Sequence, residues 1–363
     1  MQRKYLSMYD ISNSDIRVEE ISSTDLVSSL KEKIHKVLRP LVPSGSTVAL
    51  LDFPNHSNVG DSAIWFGEKT YLRDIKASVV YTCDITTFSK DQLTAKVGNG
   101  VILLHGGGSL GDLWPQYQRF RERIISLFPD NQIVQLPQSI YFSQTGTLKQ
   151  AKEIFNRHPQ LTLLLRDEKS LELARNEFRA KSFLCPDMAF ALGTLPRPQR
   201  PTKQIVWLKR TDIESAWRSS TFVNGSEVHE VDWLDEAPTF ISGFNRFLTD
   251  QGGLHPRRLK YFKTAASVTY DRLAKERFDR GCKILSSGEV VMTDRLHGHI
   301  LSLLMGIPHV CLDNNYGKLK NFYETWTKNS SLTHFANEPE EAPELAKHRI
   351  QRSAEIQVVN EEK

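Results

Sequence analysis

Short apolar segments alternate with amphipathic segments along most of the chain, and this alternation restricts the fold more than any other feature. The apolar segments of the first half predict buried strands: TVALLDF (47–53), VVYTCDI (79–85), VILLH (101–105), IVQLPQSI (133–140) and LTLLLRD (161–167). The segments between them predict helices, and Pro115 stands in the first turn of one of these, where proline is favourable. Strands that alternate with helices are typical of a parallel sheet in an α/β layer fold.

A proline-rich segment divides this alternation into two series. Residues 192–203 (LGTLPRPQRPTK) combine prolines and basic residues without periodicity, which is typical of an interdomain linker. Beyond it, QIVWLKR (204–210), EVVMTD (289–294) and PHVCLD (308–313) predict strands again, with a long helix near residues 265–285. We expect a first domain over residues 1–195 with a helical N-terminal extension, a second over 204–334, and a tail over 335–363 that packs back on the first domain.

The charge and the cysteines of the chain narrow its partners and its compartment. There are 47 Lys and Arg residues against 43 Asp and Glu residues, a formal net charge of +4. This charge suits an anionic small molecule or an anionic membrane surface, whereas nucleic-acid binding would need a stronger basic asymmetry. The four cysteines are scattered without a CxxC pair, and no signal peptide or spanning segment is evident. We expect a cytoplasmic protein, with contact to the inner face of a membrane left open.

The segment VILLHGGGSLGD (101–112) fits three known motifs that exclude one another. Its glycines spell the G-x-G-x-x-G of dinucleotide-binding folds, but the next strand does not end on the acidic residue that would hold a ribose. It also contains the G-x-S-x-G of hydrolases, with Ser109 as nucleophile, and the HGGG of esterase oxyanion holes. Those two elements must be separate in a working hydrolase, and here they overlap.

A ligand-binding turn is the simpler interpretation of the same glycines. Gly106, Gly107 and Gly108 let the backbone approach a ligand and direct N–H groups at it, and Ser109 follows them. Ligands of open α/β folds bind at the carboxyl ends of the strands, where this segment is predicted to lie. A purely structural turn, with His105 as an ordinary histidine, is the alternative.

A second group of candidate residues lies in TDRLHGH (293–299), between a predicted strand and an apolar helix. Arg295 has a planar fork suited to a carboxylate or a phosphate, and His297 can transfer a proton near neutral pH. Lys318 and Arg166 also follow predicted strands and are further candidate ligands for an anion, with a solvated lysine and an Arg166–Asp167 pair as the structural alternatives.

Asp61 is the carboxylate best placed for proton transfer. It stands in SNVGD (57–61), at the predicted start of the helix that follows the first strand. Capping of that helix is its structural alternative.

Seven segments in order along the chain resemble the polysaccharide pyruvyl transferase family. They are NVGD (58–61), HGGGSLGD (105–112), VQLPQSI (134–140), LRDEKSLELA (165–174), CPDMAF (185–190), DRLHGHILSLLMGIP (294–308) and YGKLKNF (316–322). The resemblance implies an α/β fold of two Rossmann-like domains facing a cleft, similar to GT-B glycosyltransferases. It also implies transfer of a pyruvyl group from phosphoenolpyruvate to a sugar of a surface polysaccharide or of its lipid-linked precursor, which forms a pyruvate ketal.

The implied reaction assigns roles to the candidate residues. Carried onto this chain, the resemblance places Arg166, Arg295, His297 and His105 at the donor site. The two anionic groups of phosphoenolpyruvate need cations, for which Arg166, Arg295 and Lys318 are available. Proton transfer needs an acid and a base, and Asp61, His105 and His297 are the candidates. Neither a metal nor a cofactor is required, and the acceptor sugar is not indicated.

Two other functions and one further surface are consistent with the same sequence. A GT-B-like glycosyltransferase that uses a nucleotide sugar would share the two-domain layout, and so would a sugar- or anion-binding protein without turnover. The segment 255–283 (HPRRLKYFKTAASVTYDRLAKERFDRGCK) interleaves basic and aromatic residues. This pattern favours attraction to anionic lipid or to a lipid-linked saccharide, with a solvated amphipathic helix as the alternative.

Overall fold

Two parallel sheets organise the computed structural model, which describes residues 21–212, 214–216, 228–254 and 259–361. The first sheet contains β1 (Thr47–Leu51), β2 (Ser78–Cys83), β3 (Val101–Leu104), β4 (Gly107–Gly111), β5 (Ile133–Tyr141), β6 (Leu161–Leu165) and β7 (Lys181–Leu184). Its strand order is β2-β1-β3-β5-β6-β7, and β4 pairs with the second half of β5. The helices of this half are α1 (Ser23–Leu38), α2 (Val59–Asp74), α3 (Lys90–Val97), α4 (Pro115–Leu127), α5 (Thr145–Arg157) and α6 (Glu168–Glu177).

The second sheet has the order β12-β11-β10-β8-β9. Its strands are β8 (Lys203–Leu208), β9 (Val228–Val231), β10 (Gly288–Thr293), β11 (His309–Cys311) and β12 (Thr333–Phe335). Its helices are α7 (Phe240–Leu254), α8 (Leu259–Val268), α9 (Tyr270–Ser286), α10 (Leu296–Leu304), α11 (Lys318–Phe322) and α12 (Ala342–Glu361). The predicted α/β fold with parallel sheets is confirmed, while the finer likeness to GT-B enzymes stays a prediction. The long helix predicted near residues 265–285 is interrupted at Thr269, between α8 and α9.

One hydrophobic core joins the two sheets. Leu50 of the first sheet and Leu208 of the second belong to the same cluster of buried side chains, together with helices that lie between the sheets. Two of these helices, α2 and α9, approach so closely that a Cβ on Gly281 would overlap Val59. The two series of the sequence therefore form layers that share a core, and the predicted boundaries at 195 and 204 stay a prediction.

The C-terminal tail covers the outer face of the second sheet. Helix α12 packs against β10 and β11, where Ala342 and Ala346 are buried beside Val290 and Val310. This corrects the expectation that the tail packs on the first domain, because the apolar outer face of the second sheet needs a cover of its own. The N-terminal helix α1, by contrast, links the two halves, because it packs against α10 of the second half.

The glycine segment predicted as a ligand turn is a strand. Residues Gly107–Gly111 form β4, which runs parallel to β5 and continues the direction of β3 after His105 and Gly106. Gly107 and Gly111 have φ angles of 125° and 123°, and a Cβ on Gly111 would overlap the carbonyl oxygen of Tyr141. Glycine is a weak strand former, so the pattern GGSLG resembles a loop in sequence.

Candidate active site

A cavity of about 300 Å³ lies where the carboxyl ends of the two sheets meet. Several of its lining residues directly follow a strand of one sheet or the other: Asp52, His105, Arg166, Arg210 and Arg295 lie within two residues of the ends of β1, β3, β6, β8 and β10. Parallel strands present their carboxyl ends at one edge, and two such edges face each other here. Residues that follow strands of both sheets therefore line the same cavity.

Nearly all of the residues predicted from the sequence line this cavity. They are Asp61, His105, Gly106, Gly108, Ser109, Arg166, Arg295, His297 and Lys318. Gly107 does not itself line the cavity, but a Cβ at this position would stand 3.4 Å from Asp61 Oδ1, which belongs to a lining residue. The structure thus brings the predicted residues together, while the role of each stays a prediction.

His105 forms a buried pair with Glu68 of α2, a residue that the sequence analysis missed. Its Nδ1 lies 2.8 Å from Glu68 Oε2, and the Gly106 N–H donates to Glu68 Oε1 at 2.8 Å. Burial alone would lower the pKa of His105, but Glu68 and Asp61 raise it above the ordinary histidine value. His105 Nε2 has no hydrogen-bond partner. The pair therefore favours an imidazolium with one donor left for a ligand.

Arg166 is held by Asp187 rather than by the predicted Asp167. Its Nη1 donates to Asp187 Oδ2 at 2.6 Å, and its Nε donates to Ser139 Oγ at 3.0 Å. Asp167 instead caps α6 by accepting from the Ser170 N–H. The guanidinium is completely buried and fixed in orientation by these partners.

Asp187 also lies beside His297. His297 Nε2 lies 3.3 Å from Asp187 Oδ2, without the alignment of a hydrogen bond. Burial alone would raise the pKa of Asp187, but His297 and Arg166 hold it well below its usual range. The carboxylate is therefore ionised and shared between the two side chains.

The hydrolase interpretation is not supported at Ser109. Its Oγ accepts a hydrogen bond from Arg121 Nη2 at 2.8 Å, and its carbonyl oxygen accepts from Arg121 Nη1 at 2.9 Å. A guanidinium is a donor without acceptor capacity, so Arg121 cannot activate a serine as a base would.

Two cations converge on the backbone of Gly108. A Cβ at this position would overlap Lys318 Nζ and would stand 2.8 Å from Arg166 Nη2. Lys318 Nζ also lies 3.4 Å from Glu214 Oε2. Burial would raise the pKa of Glu214, but Lys318 and Arg210 lower it to about 2. A side chain at this position would displace the end of Lys318 and crowd the Arg166 guanidinium.

Arg295 is held by carboxylates of the second half. Its Nη2 lies 2.7 Å from Asp232 Oδ1, its Nη1 lies 3.5 Å from Asp212 Oδ2, and the guanidinium lies 5.7 Å from the Trp233 ring centre. Arg210, which the sequence analysis missed, pairs with Asp212 at 2.6 Å. Arg210 follows β8 as Arg295 follows β10, and this parallel position was the signal that could have found it.

Asp61 lies at the N-terminus of α2 without capping it. The cap is Asn58, whose side chain accepts from the Gly60 N–H at 3.1 Å and donates to Asp61 Oδ2 at 2.8 Å. Burial alone would raise the pKa of Asp61, but His56 and His297 hold it below its ordinary range. The structural alternative for Asp61 is therefore wrong, and its carboxylate stays ionised beside the cavity.

Asp52 is a further carboxylate that the sequence analysis missed. It is buried directly after β1 with a left-handed φ of 71°, a conformation that is uncommon outside glycine and is enriched at functional sites. Its Oδ2 lies 3.4 Å from Arg121 Nη2, and its Oδ1 has no partner. Burial raises the pKa of Asp52 to about 7 despite the attraction of Arg121.

The described residues contain one group with the composition of a metal site: His299, His309 and Cys311, whose ligand atoms lie within 4.8 Å of one another. His299 Nδ1 and His309 Nε2 are 2.7 Å apart, which is a hydrogen-bond distance. The other ring nitrogens contact Thr327 Oγ1 and the Ile307 carbonyl oxygen. Hydrogen bonds thus satisfy both imidazole rings, and the three residues do not line the cavity.

None of the helices in the described ranges is long and apolar enough to cross a membrane.

Comparison with known proteins identifies the family. A model of the polysaccharide pyruvyl transferase family matches residues 58–316, a range that contains every predicted site residue except Lys318. The chain is 33% identical over 297 residues to pyruvyl transferase 1 of Schizosaccharomyces pombe, which covers 78% of this chain and 71% of the relative. It is 31% identical over 325 residues to EpsO of Bacillus subtilis, a provisionally named pyruvyl transferase, which covers 88% of this chain and 97% of the relative.

A solved structure shares the fold. A functionally uncharacterised protein of Klebsiella pneumoniae aligns with a TM-score of 0.55 at 17% identity, over 85% of this chain and 99% of its own. At this identity the likeness concerns the fold alone. The family model and the two relatives carry the assignment: the chain is an enzyme that belongs to the polysaccharide pyruvyl transferase family.

Proposed function

We propose that the enzyme transfers the pyruvyl group of phosphoenolpyruvate to two hydroxyls of one sugar, in a surface polysaccharide or in its lipid-linked precursor, and forms a pyruvate ketal. One observation carries this proposal. His105, which is paired with Glu68, lines the same cavity as the buried cations Arg166, Arg295 and Lys318. All four cysteines are buried free thiols, which supports the expectation of a reducing, cytoplasmic location.

The cations of the cavity match the two anionic groups of phosphoenolpyruvate. Arg166 and Lys318 meet over Gly108, and Arg210 and Arg295 flank Asp212. Each group offers charge-assisted hydrogen bonds to a carboxylate or a phosphate. Because partner carboxylates fix the guanidinium groups before binding, the substrate orders few side chains when it binds.

The reaction needs one proton donor and acceptors for two hydroxyl protons. In the proposed sequence the His105 imidazolium donates its Nε2 proton to C3 of phosphoenolpyruvate, and a sugar hydroxyl adds to C2 while the ionised Asp61 accepts its proton. The C2–O bond to phosphate then breaks, the second hydroxyl attacks C2, and its proton leaves with phosphate. One hydroxyl proton thus replaces the proton given to C3, and the products are the ketal and inorganic phosphate.

The decisive experiment measures phosphate release from phosphoenolpyruvate with a panel of galactosyl, glucosyl, mannosyl and N-acetylhexosaminyl acceptors and lipid-linked analogues. We expect release that depends on the acceptor and is lost in Arg166→Lys, which keeps a positive charge beside Asp187 but lacks the fork. Thermal unfolding of this variant controls for misfolding. Stabilisation by a nucleotide sugar, with none by phosphoenolpyruvate and no phosphate release, would contradict the proposal in favour of glycosyl transfer.

A further inference from the structure

Exposed large apolar side chains are concentrated on α7 and α8. On α7, Phe240 is 84% exposed, Phe244 44% and Phe247 54%, and on α8 Tyr261 is 75% and Val268 79% exposed. The α7 positions follow the spacing i, i+4, i+7 and therefore share one face, as do the two α8 positions at i and i+7. The rings of Phe240 and Phe244 stack on each other. Apolar side chains grouped in this way mark an interaction surface.

The opposite face of α7 is fixed to the body of the protein. Asn245 is buried, and its Nδ2 donates to Thr269 Oγ1 at 2.6 Å and to the Ala266 carbonyl oxygen at 3.2 Å. Its Oδ1 accepts from Asn55 Nδ2 at 3.1 Å. These bonds hold α7 in its rotation, so the phenylalanine face cannot turn inward. They also place α7 beside the loop that contains Asn55, and the next residue of this loop, His56, lines the cavity.

The sequence around the exposed residues of α8 is basic. Between Asp250 and Asp271 it contains Arg257, Arg258, Lys260 and Lys263 and no acidic residue. Positions 255–258 and the side chains of Lys260 and Lys263 lie outside what the structure describes, so the basic character of this segment is a property of its sequence alone. Aromatic residues concentrate at the headgroup level of a bilayer, and neighbouring cations are attracted to anionic lipid.

We propose that α7 and α8 dock the enzyme on an anionic lipid bilayer through Phe240, Phe244, Phe247, Tyr261 and Val268. Docking through this face places α7 between the bilayer and the loop at Asn55, so this rim of the cavity lies about one helix diameter, roughly 10 Å, from the bilayer surface. A saccharide attached to a lipid would reach the cavity there. The docking itself does not depend on the proposed reaction.

Vesicle flotation of the full chain tests the proposal. We expect the protein to float with vesicles of phosphatidylcholine and phosphatidylglycerol, less with phosphatidylcholine alone, and less at high salt. The variant Phe240→Ser/Phe244→Ser/Phe247→Ser should lose on the order of tenfold or more in binding. Phe183→Ser is the matched control, because Phe183 is a similarly exposed phenylalanine (43%) on β7 and should leave binding unchanged.

A second variant and two further measurements separate lipid docking from misfolding, self-association and loss of activity. Tyr261→Ser/Val268→Ser probes the same surface from α8 and should also weaken flotation if α7 variants misfold. Equal flotation of wild type and both variants, or absence of flotation of the wild type, overturns the proposal. A concentration-dependent dimer in sedimentation that the triple variant abolishes also overturns it, in favour of a second copy as the occupant. Phosphate release with a water-soluble acceptor is scored separately, so failure of the reaction and failure of docking are distinguishable.

Discussion

The edges of the two sheets contribute different chemistry to one cavity. The first sheet and its helix α2 supply the titratable groups Asp52, Asp61 and His105 to the lining of the cavity. The second half supplies Arg210 and Arg295, each paired with a carboxylate of its own half, and one titratable group, His297 of α10. This difference suggests a division of labour in which one sheet edge performs proton transfer and the other holds the anionic donor.

Arg166 is the exception that joins the two halves. It follows β6 of the first sheet, yet its partner Asp187 also contacts His297 of the second half, and its Nη2 lies beside the position of Lys318. Arg166, Asp187 and His297 therefore form an ion-pair network that includes residues of both halves. The predictions below test whether the two edges separate in kinetics, with the first affecting kcat and the second KM.

The largest effect is expected for His105→Gln. The substitution removes the proposed acid while it keeps polarity, and kcat should fall by about 10²- to 10⁴-fold because general acid catalysis contributes in that range. Steady-state phosphate release measures kcat, and binding of phosphoenolpyruvate measured by calorimetry should change little. His158→Gln, which removes a buried histidine bonded to the Phe128 carbonyl oxygen outside the cavity, is the matched control. Equal losses of kcat in both variants would refute a catalytic role for His105.

A smaller and pH-dependent effect is expected for Glu68→Gln. Glu68 raises the pKa of His105, so its neutralisation should lower that pKa and leave less imidazolium at neutral pH. We expect kcat at neutral pH to fall by roughly 10- to 100-fold, and the alkaline limb of the kcat–pH profile to move to lower pH with partial recovery on acidification. A uniform loss at every pH would show that Glu68 only maintains the structure.

The second sheet edge is probed by Lys318→Met. The loss of one cation should raise KM for phosphoenolpyruvate by about tenfold, since a charge-assisted hydrogen bond contributes roughly 1.5–3 kcal/mol, with kcat changed much less. Gly108→Ala should act in the same direction, because its methyl group would overlap Lys318 Nζ. A fall in kcat at constant KM would place Lys318 with the proton-transfer groups and end the proposed division.

The smallest effect is expected in the stability of Asp52→Asn. Because the folded-state pKa of Asp52 is raised to about 7, the folded protein keeps a proton that the unfolded chain loses above about pH 4. Stability of the wild type from this group therefore falls as pH rises from about 4 to 7. The asparagine variant lacks this loss, so its free energy of unfolding relative to wild type should rise by ~1 kcal/mol between pH 5 and pH 6. Denaturant unfolding at both pH values measures the difference, and parallel curves would contradict it.

The sequence placed the site well where a residue follows a strand. His105, Arg166 and Arg295 were predictable because a buried apolar run ends just before each of them, and parallel strands share one edge. Glu68 was harder to find, since it lies inside α2 at seven residues from Asp61, on the same helix face but without a strand end beside it.

The partners of the cations depend on tertiary structure. Asp232 is separated from Arg295 by 63 positions and Glu214 from Lys318 by 104, so local spacing does not mark these two pairs. The strand β4 escaped prediction because glycine is rare in strands. Here Gly107 and Gly111 have left-handed φ angles, and a Cβ on Gly111 would overlap the neighbouring strand. The tail was misplaced because a charged helix does not reveal which of two sheets lacks a cover.

The shared core has a consequence for dividing the gene. A chain cut within 196–203 would separate Leu50 from Leu208 and α2 from α9, so each half would be synthesised with an uncovered apolar face. Such faces promote aggregation of isolated fragments. Independent recombination of either half with another domain is therefore disfavoured, and the two halves are expected to have been inherited as one unit.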